Sequence, residues 1–254
     1  FLIKFIRWRF ICSQIDLDIP FGVDAKCWIE SQAFLATPGG SGLGVRAILL
    51  KEKFNLPFSQ LIPAIIFERL NDLLSVFFII LIMNIRSFFV SKFIIPILIV
   101  SIIIYSFKSI KLPYRKFARF IPSSLYLNEI FIDVIKKLLK PKKIFFTIII
   151  GSIPWLIEGY SFFLILRMIG DIDITWNIAT FSHLTATVLG ALSFLPGGIG
   201  ATEAGTIGLL TLSDVPFNIS STSTIFIRLL TIWLSTLIGI FTLCLPNKQR
   251  NSSF

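Results

Sequence analysis

The stretch LSFLPGGIGATEAGTIGLL, residues Leu192 to Leu210, lies in one of the most hydrophobic parts of the chain, yet it contains a proline, five glycines and the carboxylate of Glu203. Proline removes a backbone donor and glycine permits sharp turns. We therefore expect one helix to end near Leu195 and another to begin near Gly200. Inside a membrane, the unpaired N–H groups at the start of the second helix would form a ready anion site.

The composition is that of a polytopic membrane protein. Of the 254 residues, 55% are hydrophobic, and the mean hydropathy is +0.85. Long apolar runs without the alternation of barrel strands predict an all-α fold. The candidate segments are about 1–15, 22–50 (broken near Pro38), 60–85, 93–107, 144–167, 177–212 (broken near Pro196) and 222–245.

The broken segment has a counterpart earlier in the chain. ATPGGSGLGVRAILL, residues Ala36 to Leu50, carries the same Pro-Gly-Gly-x-Gly motif 158 residues before the second copy. Further matches follow the same order, since Pro-Phe at Pro57 and Pro216 and Ile-Phe-x-Arg-Leu around Arg69 and Arg228 are each 159 residues apart. A weaker match upstream joins LDIPF near Leu17 to IDITW near Ile172. This pattern predicts two copies of one structural unit.

Charge predicts the orientation of the two copies. Basic residues flank the first copy, with Lys4, Arg7 and Arg9 at its first helix and Lys51 and Lys53 after its broken segment. The equivalent places in the second copy carry Asp171, Asp173 and Asp214. By the positive-inside rule the copies lie upside down relative to each other, as two inverted repeats, each with a re-entrant Pro-Gly-Gly-broken helix. A broken segment that crosses twice fits the charges equally well. We expect a single transmembrane domain over 1–254, with repeat 1 at about 1–85, a linking helix and basic loop at about 86–143, and repeat 2 at about 144–245.

The basic loop indicates the side of the membrane. Ten Lys and Arg residues face two acids between Lys108 and Lys143, which predicts that loop 108–143 and the C-terminus are cytoplasmic in a multi-pass cytoplasmic (inner) membrane protein. Its position between spanning segments argues against a nucleic-acid patch. Within it, residues 127–139 are predicted to form an amphipathic helix, either in the headgroup layer or packed on the bundle.

Charged residues inside apolar runs are the candidate binding groups. Arg46 and Glu203 occupy nearly equivalent positions in the two copies, and we expect them to face each other near the midplane. Glu203 either complements its helix dipole, with Thr202 helping to cap, or pairs with a cation, a proton or an amine headgroup. Arg69 and Arg228 either snorkel or pair with a carboxylate such as Asp72 or Glu158, or they coordinate a phosphate.

Other residues have structural and functional interpretations side by side. The pairs Asp16/Asp18 and Asp171/Asp173 are either turn and capping residues or a metal–diphosphate motif of a glycosyltransferase. His183 is expected to be packed and hydrogen bonded. Four tryptophans near segment ends are expected to anchor at the interface: Trp8, Trp28, Trp155 and Trp176. Three dispersed cysteines and one histidine predict no metal site, and we expect no cofactor and no catalytic residue.

The order of these motifs resembles the lysylphosphatidylglycerol synthase transmembrane region, also called the flippase-like domain family. The resemblance rests on TPGGSGLGVRAILL, FERLNDLL, LPGGIGATEAGTIGLL and FIRLLTIWL, and this chain has Thr202 where the family usually has a basic residue. It implies that the following residues bind substrate: Pro38, Gly39, Gly40, Gly42, Arg46, Arg69, Asp72, Pro196, Gly197, Gly198, Gly200, Glu203 and Arg228.

The resemblance also implies a function. It predicts binding and translocation of a phospholipid or lipid-linked intermediate, with an anionic phospholipid or a polyprenyl phosphate as the lipid partner. In the full synthases, lysyl transfer belongs to a separate soluble domain, and this sequence ends at Phe254 after the last apolar segment, so we expect no lysyl transfer. Two alternatives remain open, namely a membrane glycosyltransferase acting on polyprenyl phosphates and a non-catalytic partner of a synthase or transferase.

Overall fold

The structure is a computed structural model that describes residues 1–37, 42–83 and 129–245. Within these ranges every regular element is helical, which confirms the predicted all-α class. The elements are α1 Leu2–Ser13, α2 Phe21–Gln32, α3 Leu43–Phe54, α4 Phe58–Met83, α5 Glu129–Leu138, α6 Pro141–Gly170, α7 Trp176–Leu192, α8 Ala201–Thr211 and α9 Phe217–Cys244. The predicted segment 93–107, the first part of the basic loop, the C-terminal tail and Pro38, Gly39 and Gly40 lie outside the described residues.

Two of these helices have the length and apolar composition of membrane spans. They are α6, with 30 residues, and α9, with 28 residues and a π-helical turn at Leu229–Trp233. Helix α4 has 26 residues but carries three charged side chains in its centre, Glu68, Arg69 and Asp72. In a membrane these charges require partners, which determines how α4 packs.

The predicted break at Pro196 is confirmed. Helix α7 ends at Leu192, a 3₁₀ turn spans Pro196–Gly198, and α8 begins at Ala201. Gly197, Gly198 and Gly200 have φ angles of 58°, 65° and 85°. This left-handed backbone is strained for residues with a side chain, which explains the three glycines. Thr202 is not the cap, because Glu203 accepts the hydrogen bond from the Gly200 N–H at 2.7 Å.

On either side of each break, the two flanking helices run antiparallel, and we call α2 with α3 the first hairpin and α7 with α8 the second hairpin. In the first, Gly42 just before α3 packs against Phe34 just after α2, whereas Lys53 near the end of α3 reaches back along α2 to Glu30 at 3.4 Å and Cys27 at 3.5 Å. In the second, Gly205 in the first half of α8 lies beside Ala186, which is nearer to the end of α7 than to its start. This is the pairing that antiparallel helices give. Helices α2, α3 and α8 have 11 or 12 residues and are about 18 Å long at most, which is shorter than the roughly 30 Å hydrocarbon layer.

The second break lies next to the residues that precede the first motif. A side-chain carbon at Gly197 would be 3.4 Å from Ala36, two residues before Pro38, and 3.2 Å from Ile232 in the π-helical turn of α9. Gly239 brings α9 still closer to the first hairpin, because a side-chain carbon there would clash with the backbone nitrogen of Ala33 and lie 2.8 Å from its Cα. Helix α9 therefore holds the second break against the end of the first hairpin.

Three apolar clusters hold the helices together. The first contains residues of all five helices from α1 through α5, and the second contains residues of all four helices from α6 through α9. The third joins α4, α6 and α7 through residues such as Ile79 and Leu184. Trp8 and Trp28 belong to the first cluster and are 0% and 4% exposed, so their predicted role as interface anchors is wrong. Trp8 is buried because its ring packs against the Arg46 guanidinium.

Helix α5 is the described part of the basic loop, and it packs on the bundle. Val134 and Leu138 are buried in the first cluster. On the other face, Lys137 lies 3.0 Å from Asp16 and 3.3 Å from Asp133, and these carboxylates raise the pKa of Lys137. The interpretation of this segment as a connector packed on the bundle is confirmed.

Close packing at Gly239 predicts a stability difference. Replacing Gly239 by Ala places a methyl group against the Ala33 backbone, which cannot give way as a side chain can, and overpacking of this kind costs about 1–3 kcal/mol. The matched control is Gly208→Ala, because the space beside Gly208 is open. We expect Gly239→Ala to lower the thermal unfolding midpoint in detergent and Gly208→Ala to leave it unchanged or raise it. Equal midpoints would contradict the close approach of α9 to the first hairpin.

Candidate functional site

A cluster of five charged side chains lies where α1, α3 and α4 meet, and we call it the charge cluster. Its members are Arg7, Arg46, Glu68, Arg69 and Asp72. Glu68 and Asp72 are four residues apart, and Ser75 follows three residues later, so all three fall on one face of α4. That face is buried against neighbouring helices.

Glu68 is the centre of the charge cluster. Its side chain is 1% exposed, and the Arg46 guanidinium donates a hydrogen bond to it. Arg7 and Arg69 approach the same carboxylate at 3.7 and 3.5 Å. The Arg46 guanidinium also stacks on Trp8, 3.8 Å from the ring centre, which adds a cation–π contact. A single carboxylate thus joins three helices.

Asp72 closes the other side of the cluster. It lies 2.7 Å from Arg7 and 3.1 Å from Arg69, and it accepts a hydrogen bond from the Trp155 indole at 3.4 Å. The alternative that Arg69 pairs with Asp72 is therefore confirmed. Trp155 is on α6, so Asp72 extends the network to the second half of the chain.

A glycine makes room for Arg7 beside α6. A side-chain carbon at Gly151 would lie 2.8 Å from Arg7 Nη1 and 2.5 Å from the Ser75 hydroxyl. Ser75 in turn donates to the Ile148 carbonyl on α6 at 3.1 Å. The small residue lets the guanidinium lie directly against the α6 backbone.

The charge cluster has more positive charge than its carboxylates neutralise. It also has hydrogen-bond donors that these carboxylates leave unpaired. Three guanidinium groups face two carboxylates, which leaves one excess positive charge. Among the described residues, buried guanidinium nitrogens of Arg7, Arg46 and Arg69 and the side-chain amide of Asn71 have no hydrogen-bond partner, and neither does the acceptor Oε1 of Glu68. Arg69 differs from the other two arginines because 42% of its side chain is exposed. The excess charge is therefore accessible at Arg69.

A second ion pair fixes the break at Pro196. Arg228 donates from Nε to Glu203 at 2.6 Å and from Nη2 to the Gly197 carbonyl at 2.6 Å. Glu203 accepts from the Gly200 N–H through its other oxygen. Arg228 and Glu203 together hold the turn from both sides. Arg228 therefore pairs with a carboxylate, as one alternative predicted, and its partner is Glu203 rather than Asp72 or Glu158.

The predicted contact between Arg46 and Glu203 is not what the structure shows. Arg46 pairs with Glu68, and Glu203 pairs with Arg228. Both pairs connect the helix that follows a break to the long helix after it, α3 to α4 and α8 to α9. The signs are reversed, because the helix after the break carries the arginine in the first copy and the carboxylate in the second. The sequence places Arg46 and Glu203 at almost equivalent positions, and each found its partner within its own copy.

Several further predictions have clear outcomes. His183 is packed and hydrogen bonded, since its Nε2 lies 3.1 Å from Glu158. Asp16 and Asp171 have left-handed φ angles of 60° and 44°, and Asp171 ends α6, as turn and capping residues do. Gly42 is tied to the first break by a 2.8 Å hydrogen bond from its N–H to the Thr37 hydroxyl. The sequence analysis missed Glu68 as a site residue and treated Arg7 only as a flanking charge.

The central position of Glu68 predicts a large loss of stability when its charge is removed. Breaking a buried ion pair costs about 3–5 kcal/mol because the partner charge is left uncompensated. We expect Glu68→Gln to lower the free energy of unfolding in detergent by this order, whereas Glu52→Gln, the same change at an exposed position of α3, stays within about 0.5 kcal/mol.

A double substitution provides the control for this prediction. If Arg46 is stabilised by Glu68, then Arg46→Met will cost less in the Glu68→Gln background than in the wild-type background. Equal costs in both backgrounds would show that the two side chains act independently.

Comparison with known proteins agrees with a helical membrane fold. Residues 1–239 match the family described as the lysylphosphatidylglycerol synthase TM region. Two similar segments occur in proteins named UPF0104 membrane protein from Methanothermobacter thermautotrophicus. One is 29% identical over 97 residues, covering 38% of this chain and 29% of the relative, and the other is 27% identical over 111 residues, covering 43% and 32%.

The matched segments span less than one third of the relatives' own length. No solved structure matches the chain. Because the family match extends over residues 1–239, this chain belongs to the lysylphosphatidylglycerol synthase TM region family of membrane proteins.

Proposed function

We propose that this chain binds the anionic headgroup of a phospholipid or of a polyprenyl-phosphate-linked intermediate and translocates that lipid across the cytoplasmic membrane. The observation that carries the proposal is the excess positive charge of the charge cluster, which Arg69 exposes inside a membrane protein. Ionisable groups at such depth are costly and commonly mark a substrate path. A guanidinium suits phosphate because its planar fork donates two parallel hydrogen bonds.

Arg69 and the other two predicted arginines have different roles in this proposal. Arg46 is fully buried on Trp8 and Glu68, and Arg228 is held by Glu203 and Gly197. Both therefore position the broken helices. Arg69 is the residue that receives the headgroup, and Asp72 and Glu68 hold its guanidinium in place until phosphate competes for it.

The arrangement of the two hairpins supports translocation in particular. Two antiparallel hairpins, with the second break beside Ala36 at the end of the first hairpin's leading segment, fit an inverted repeat with re-entrant segments. In such an arrangement, the hairpins open to opposite sides and the lipid headgroup passes between them. At the second break the space beside Gly200 is open, whereas Gly197 and Gly198 are closely packed, so a headgroup would approach at Gly200.

The glycosyltransferase and partner-subunit alternatives receive no comparable support. A metal–diphosphate motif needs aspartates free to bind a metal, whereas Asp16 pairs with Lys137 and Asp171 ends α6. The family's description refers to the transmembrane region of a synthase, and we attribute no transfer reaction to this chain.

Translocation is measurable in proteoliposomes that contain fluorescent phosphatidylglycerol. Wild-type protein should move the labelled lipid between leaflets, which makes it accessible to dithionite added outside. Arg69→Gln removes a charge-assisted hydrogen-bond donor set worth about 1.5–3 kcal/mol, so we expect the rate to fall roughly tenfold or more.

Two variants control for unrelated effects. Arg69→Lys retains the charge but not the fork and should keep part of the rate, while Arg167→Gln changes an exposed arginine near the end of α6 and should have no effect. A rate equal to that of protein-free liposomes, or equal loss in Arg69→Gln and Arg167→Gln, would contradict the proposed function.

A further inference from the structure

A second group of titratable side chains lies apart from the charge cluster, between α6 and α7. His183 Nε2 is 3.1 Å from Glu158 Oε1, and both residues lie in the middle of their helices. The His183 ring is 2% exposed and packs against Phe162 with a centroid distance of 5.2 Å. This is the one histidine of the chain, and it is buried beside a carboxylate.

The contact with Glu158 assigns the protons of the imidazole. A carboxylate accepts hydrogen bonds, so Nε2 carries the hydrogen in the neutral ring. The other nitrogen, Nδ1, is buried and has no hydrogen-bond partner in the part of the chain that the structure describes. A proton taken up by His183 therefore goes to Nδ1 and turns the contact into an ion pair with Glu158.

Lys4 holds the other oxygen of the same carboxylate. Its Nζ lies 3.7 Å from Glu158 Oε2. The exposed fraction of the side chains falls from 32% at Lys4 to 16% at Glu158 and 2% at His183, which describes a route from the surface inward. Asp72 on α4 and the amino group at Phe1 are within electrostatic reach of Glu158, and Glu203 on α8 is already paired with Arg228.

We propose that Glu158 and His183 form a proton-binding site in the membrane interior and that Lys4 competes with the proton for Glu158. With Lys4 in place, the carboxylate is neutralised and a second positive charge on the imidazole is disfavoured. When Lys4 moves away, Glu158 is left uncompensated and His183 takes up one proton from water at Nδ1. The ligand of the site is thus a single proton, and Lys4 controls its occupancy.

The geometry also connects this proton site to the charge cluster. Lys4 Nζ lies 4.6 Å from the centre of the Trp155 ring, and the Trp155 indole donates to Asp72. If an anionic headgroup draws Lys4 toward the charge cluster, His183 will take up a proton, and by linkage a lower pH will favour headgroup binding. This coupling rests on the proposed function, whereas the proton site itself does not.

A single histidine permits a direct test. In full-length protein labelled with ¹⁵N-histidine and placed in nanodiscs, the two nitrogen resonances of one imidazole report its tautomer and its protonation as pH is varied. An opposite charge at this distance shifts such a titration by about 1–3 pH units. We expect Glu158→Gln to move the His183 midpoint at least about one unit to lower pH, and Lys4→Met to move it in the opposite direction.

The variants separate the proton site from the lipid function. Lys4→Met mimics the departure of Lys4 without any lipid, so its effect does not depend on whether a lipid is translocated. Lys137→Met, at an exposed lysine on α5, is the matched control and should leave the midpoint unchanged. A midpoint that stays the same in both Glu158→Gln and Lys4→Met would overturn the proposal, as would a neutral ring with hydrogen on Nδ1. If Glu158→Gln does not fold, the upward shift in Lys4→Met still decides the question.

Discussion

The structure depends on the placement of one carboxylate, Glu68, among three guanidinium groups in an otherwise apolar bundle. Isolated charges are costly in a membrane, and a buried pair is tolerated only when its geometry is good and its partners remain in place. Arg7 and Arg46 reach Glu68 from α1 and α3, so these helices and α4 are stabilised only when packed together. Trp8 and Gly151 serve this arrangement, one by supporting a guanidinium and the other by making room for one.

The two sequence repeats use the same construction with opposite signs. In each, an ion pair connects the helix after the break to the next long helix, but the arginine and the carboxylate exchange places. The reversal has a consequence for function. In the second copy, Arg228 and Glu203 neutralise each other and hold the Gly197 turn. In the first copy, Arg7 and Arg69 also approach Glu68, and positive charge is in excess. Under the proposed function, the second copy has a structural role and the first copy receives the anion.

The elements with strong local signals could be predicted from the sequence. Proline and glycine at 196–200 determine where α7 stops and α8 starts, because no other residue types satisfy those backbone angles so easily. The partners of charged residues could not be predicted in the same way. Arg46 and Glu203 invited pairing with each other because their motifs align, but which carboxylate faces which arginine depends on the rotation of whole helices. Glu68 was missed for this reason, although a charge inside the apolar run of α4 already indicated that it needed a partner.

Native mass spectrometry is the most direct test of whether the charge cluster binds an anionic headgroup through Arg69. Wild-type protein would be purified beside Arg69→Gln and released from detergent in the mass spectrometer. We expect an anionic phospholipid or polyprenyl phosphate to stay bound to the wild type and to Arg167→Gln and to be lost from Arg69→Gln. A wild-type protein that retains no anionic lipid, or an Arg69→Gln protein that retains as much as the wild type, would rule out headgroup binding at Arg69.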